Sequence, residues 1–96
     1  MSLRSEYAAL CKSIDSTLTP YEHRVLDSAG ITLFDIKPQT LQEKLTGLKL
    51  IGVVVQEIMS RGADHGPVWD FYWKVKNTYS LPNTLKLSQL PPEYQL

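Results

Sequence analysis

Apolar positions recur along this chain with helical spacing. Leu3, Tyr7, Leu10, Cys11, Ile14 and Leu18 are separated by four, three, one, three and four residues. That spacing places them on one face of an α-helix and predicts a first helix over residues 3–16. Thr19, Pro20, Tyr21 and Glu22 follow as a start signal. The threonine can accept a backbone N–H, the proline has no donor to lose at the first helical position, and the glutamate can reach back to the cap. Tyr21, Val25, Leu26 and Ala29 continue a short stripe. A second helix is predicted over residues 20–29, ended by Gly30 in the left-handed conformation. The short connection between these helices implies that they are neighbours in space.

Residues 31–38, ITLFDIKP, have no cleanly polar face in either register and read as an extended connector. A second capping box, Thr40 to Glu43, opens the clearest element. Leu41, Leu45, Leu48, Ile51, Val55 and Ile58 step by four, three, three, four and three, which predicts a central helix over residues 41–60. Leu50, Val54 and Met59 widen its apolar surface, Glu57 and Arg61 form a charge pair four apart, and Gly62 supplies the stop. The valines at 53, 54 and 55 favour a pleated surface and support a rival buried strand over residues 49–55. The unbroken helical stripe decides for the helix.

Residues 66–76, GPVWDFYWKVK, place Trp69, Phe71, Tyr72 and Trp73 within five positions. As a helix over residues 67–79, the segment puts Val68, Phe71, Tyr72, Val75 and Tyr79 on one side, with Trp69 and Trp73 one turn apart and about 100° round the axis. As a strand it alternates with a period of two, and NTLKLSQL would return as its hairpin partner. Pro67 at a start position, an Asp70–Lys74 pair four apart and Pro82 after the stop favour the helix. The fold predicted is therefore an all-α domain of four helices over residues 1–80 with an extended, proline-containing tail over residues 81–96. The alternative is α+β with a C-terminal hairpin.

Composition narrows the function classes. The chain has 96 residues, 43% hydrophobic and 21% charged, which suits one globular core rather than disorder. Ten basic and ten acidic residues are scattered along the chain, so no electrostatic footprint for nucleic acid is present. The longest apolar tract, LIGVVV, is far short of the ~20 residues that span a bilayer. One cysteine, and no signal-like apolar run after Met1, imply a reducing, cytoplasmic setting.

Candidate chemistry is sparse. His23 and His65 lack metal-ligand spacing, no cofactor motif is present, and Cys11 on an apolar stripe reads as an inert core thiol. An enzyme centred on His23, Asp64 or His65 is the least supported reading. Residues 90–94, LPPEY, resemble the Pro-Pro-x-Tyr ligands of WW domains, a resemblance that would make Pro91, Pro92 and Tyr94 a docking segment. The same tail also reads as a cap that packs Leu85, Leu87 and Leu90 on the body. By elimination, the expectation is a non-enzymatic interaction module without cofactor or metal. It would bind a protein partner or a second copy through Trp69 and Trp73, or through the tail residues Pro91, Pro92 and Tyr94. The alternative is a small-ligand pocket between helices, lined by the aromatic residues with Val54, Val55 and Ile58.

Overall fold

Helices begin where a side chain accepts backbone N–H groups that have no partner within the helix. In the computed structural model, which describes residues 2–35 and 40–81, Ser2 accepts from the Ser5 N–H at 3.2 Å and opens α1, Leu3–Ile14. A 3-10 turn, Asp15–Thr17, follows. Thr19 accepts from the Glu22 N–H at 3.2 Å while the Glu22 carboxylate accepts from the Thr19 N–H at 3.1 Å. This is the predicted capping box, and it opens α2, Pro20–Gly30. Thr40 accepts from the Glu43 N–H at 3.2 Å to start α3, Leu41–Ser60. Only that half of the second predicted box forms, and Glu43 Oε2 is buried without a partner. The last helix, α4, Gly66–Thr78, has Pro67 in its first turn and no side-chain cap.

Every regular element among the described residues is helical. The all-α reading holds, and residues 49–55 and 67–78 are helix rather than strand. The predicted tail beyond Leu81 lies outside the described residues.

α3 is the centre of the packing. α2 and the turn that follows it cover one part of its surface and α4 another. Residues 47–55 are buried without interruption, so this helix is enclosed all round rather than along the single stripe expected. The stripe also starts later than predicted, since Leu41 is 62% exposed. Each fully buried valine, leucine or isoleucine contributes ~1.5–3 kcal/mol, and Leu48, Ile51 and Val54 are wholly enclosed. α1 lies mainly on α4 and meets α2 through Tyr7, instead of pairing with α2 along its length. Lys74, expected to pair with Asp70, reaches across to Glu6 of α1.

Gly30 does not end α2 in the left-handed region. The chain continues as a π-helical turn, Ile31–Asp35, where an extended connector was expected; residues 36–38 of that connector lie outside the described residues. Tyr7 supplies the physical reason. Its hydroxyl donates to the Leu26 carbonyl at 2.7 Å, and a side-chain donor inserted into a helix's carbonyl ladder is a recognised cause of departure from α geometry. Gly30 serves close approach: a Cβ there would lie 2.4 Å from the Tyr7 ring. Gly47 is matched in the same way to Leu33, 2.5 Å from where its Cβ would stand.

The stops of α3 and α4 share one geometry. Gly62 donates to the Met59 carbonyl and Ala63 to that of Ile58, both at 3.1 Å, with Gly62 at φ +73°. Ser80 donates to the Asn77 carbonyl at 3.3 Å and Leu81 to that of Lys76 at 2.9 Å. Both are Schellman caps. The second places a serine at φ +52°, where a Cβ is unfavourable by roughly 1 kcal/mol. Ser80→Gly should therefore raise stability by about 0.5–1 kcal/mol in denaturant unfolding. An unchanged midpoint would show that the serine is unstrained.

Arg61, expected to pair with Glu57, instead joins α3 to α2. Its Nε and Nη2 donate to the Glu22 carboxylate at 2.9 and 2.8 Å, and Nη2 also donates to the Thr17 carbonyl at 2.8 Å. Glu22 is 1% exposed. The Arg61 guanidinium holds its carboxyl below the usual carboxylate range; burial opposes this, and Thr19 adds to it. With the folded value below the unfolded one, the stabilisation is complete above the ordinary glutamate value of about 4.3 and is lost as pH falls through the depressed value. Glu22→Gln should lower the melting temperature at neutral pH and flatten its decline below about pH 4.3 relative to the parent chain. Parallel acid profiles would show that this pair is not linked to stability.

Candidate functional site

α4 positions the aromatic cluster through its own period. Residues three and four apart share a face, so Val68, Phe71, Tyr72 and Val75 are buried against the core. Trp69 and Trp73 lie round the axis from them. The Trp69 ring stacks on Tyr72 at 5.2 Å between centroids with the planes 8° apart. Trp73 stands edge-on to both, 5.4 Å from Trp69 and 5.9 Å from Tyr72. Trp69 is half-buried, whereas Trp73 is 37% exposed. Lys76 Nζ lies 5.0 Å from the centre of the Trp73 ring, within cation–π range.

The two tryptophans are thus brought together as predicted, but in unequal roles. Trp69 is partly spent on covering Tyr72. Trp73 is held by ring contacts on one side and open on the other. Tyr72 is fully buried and its hydroxyl has no partner; burial pushes its pKa up. The other predicted contact residues, Pro91, Pro92 and Tyr94, lie outside the described residues.

The sites considered for chemistry are not assembled. His23 Nε2 lies 2.9 Å from the Asp15 carbonyl and 3.6 Å from the Asp15 carboxylate, which ties it to the start of the 3-10 turn. His65 precedes α4, where its carbonyl accepts from the Trp69 N–H at 2.9 Å. Asp64 accepts from the Gly66 N–H at 3.0 Å and shapes the loop before α4. No group of three or more His, Cys, Asp or Glu among the described residues could hold a metal ion. Val54, Val55 and Ile58, offered as the wall of a ligand pocket, are core residues at 0%, 1% and 3% exposure.

Sequence reasoning missed a concavity between α1 and the end of α2, lined by Tyr7 and Phe34. ITLFD supplies Ile31 and Phe34 to it, but Tyr7 comes from α1, so no single stretch of sequence shows it. Cys11 lies near the same region. It is half-buried rather than core; burial pushes the thiol up, the Tyr7 hydroxyl opposes this, and Asp27 and Asp15 add to it.

Among known proteins, the chain matches no family model, no curated protein and no solved structure.

The raised Cys11 pKa predicts slow thiol labelling of the native chain at neutral pH, accelerating after unfolding, because the thiolate is the reactive form. Equal rates in both states would show an accessible, unperturbed thiol.

Proposed function

We propose that this domain is a non-enzymatic protein-interaction module whose contact surface is the Trp69–Trp73 face of α4. The reading rests on one observation: Trp73 is 37% exposed on a helix whose opposite face is already fully docked. Its large ring has little to contribute to the core and much to a partner. Tryptophan supplies contact area at low entropic cost and is enriched among the residues that dominate interface energies. The neighbouring rings preorganise it, so little side-chain freedom remains to be lost on binding.

The partner that suits this face is a protein, or a second copy of the chain, presenting an apolar side chain to Trp73 and a carboxylate to Lys76. No cofactor, metal or nucleic acid enters this reading, and its setting is cytoplasmic. Among the described residues no helix is long and apolar enough to cross a membrane.

Trp73→Ala should leave the melting temperature close to that of the parent chain and abolish association measured by sedimentation and by cross-linked capture from host cells. Trp69→Ala, which uncovers Tyr72, should cost about 2 kcal/mol of stability, roughly half the value for a fully buried tryptophan. Association that survives the loss of Trp73 would overturn the assignment, as would a parent chain that neither self-associates nor captures a protein.

A further inference from the structure

The concavity between α1 and the end of α2 shares no residue with the Trp69–Trp73 face. It is an open groove with room for about 350 Å³, near the lower end of the ~300–1,000 Å³ of small-molecule sites. The Tyr7 ring forms its floor, fixed by the hydrogen bond to Leu26 and by contact with Phe34 at 5.5 Å and Phe71 at 6.0 Å. Phe34 and Ile31, the latter 54% exposed, form the wall on the π-helical turn. Single π-helical turns, found mostly within α-helices, are frequent at functional sites.

Charge decides what this floor suits. Three charged side chains reach the rim: Arg4, Asp27 and Asp35. Arg4 is already committed, with Nη2 on the Asp35 carboxylate at 2.7 Å and Nη1 donating to the Phe34 carbonyl at 3.4 Å. Asp27 has no ion pair among the described residues. Among the described residues the rim therefore carries one uncompensated carboxylate beside two aromatic rings. A carboxylate attracts an ammonium directly, and ring faces attract cations through their quadrupole.

We propose that this groove binds a small organic cation, an aromatic body bearing one protonated amine. The body lies against Tyr7, Phe34 and Ile31, and the ammonium donates to the Asp27 carboxylate. An anion of the same shape is rejected, because the single guanidinium is held by Asp35.

The test is an amide NMR titration of the full chain with 2-phenylethylammonium, 2-phenylethanol and 3-phenylpropionate. Saturable shifts at Tyr7, Asp27, Ile31 and Phe34 are expected with the ammonium. Its affinity should exceed that of the alcohol by about tenfold, the worth of one charge-assisted hydrogen bond, and the carboxylate should not bind. Asp27→Asn, at an exposed position, should keep the dispersed spectrum and reduce the ammonium to the affinity of the alcohol. Arg4→Ala frees Asp35 and should strengthen ammonium binding. Equal affinity for ammonium and alcohol, binding unaffected by Asp27→Asn, shifts centred on Trp73, or no saturation in the millimolar range would each overturn the proposal. Nα-acetyl-lysine methylamide reports on a lysine side chain presented by a protein. Binding tighter than that of 2-phenylethylammonium would overturn the small-molecule occupant.

Discussion

A carboxylate removed from water must have its oxygens satisfied, or the cost of burial exceeds anything that it contributes. Glu22 meets that condition with partners from two parts of the chain. Thr19 supplies a backbone N–H from the cap of α2, and Arg61 supplies two donors from the end of α3. The same guanidinium then holds the Thr17 carbonyl of the 3-10 turn. The start of α2, the stop of α3 and the turn after α1 are therefore fixed relative to one another. Because Arg61 is the last residue before the left-handed Gly62, the tie also sets where the chain leaves α3 toward α4.

The aromatic face is a by-product of how α4 docks. Val68, Phe71, Tyr72 and Val75 form a complete apolar stripe, and an α-helix cannot turn two further tryptophans one turn apart into that stripe. Trp69 is drawn partly inward by stacking on Tyr72, which leaves Trp73 with Lys76 at the surface. Docking the helix and displaying a ring are thus one geometric outcome. The groove at α1 arises in a related way, since the Tyr7 ring that widens the end of α2 is also its floor.

Much of the fold was legible because helix starts and apolar period are local properties. Thr19 with Glu22, Thr40, and the stop at Gly62 all act within one turn of their own positions. What failed was non-local. Glu57 and Asp70 stood at the right spacing to pair with Arg61 and Lys74, yet both bases went to acids on other helices. A pair within one exposed helix is worth only about 0.3–0.5 kcal/mol, so tertiary placement overrides it easily. Gly30 was misread for a similar reason. Its lack of a Cβ admits a ring from α1, which no window around residue 30 could show. Of the candidate site, the tryptophan face was visible as a pattern and the groove was not, because its walls are contributed by residues far apart in sequence.

The enclosure of α3 on every side has a consequence for the unfolded chain. Residues 50–55, LIGVVV, hold no charge and no proline, and branched side chains at three successive positions prefer a pleated backbone. Short uncharged segments of that kind are templates for intermolecular β-stacking when exposed. In the native domain the segment is helical and each of its residues is buried, so it is masked from other chains by packing rather than by its own preference. A partial opening that lifts α2 or α4 away uncovers part of this segment. By tying the start of α2 to the end of α3, the buried carboxylate therefore also helps to keep this segment covered.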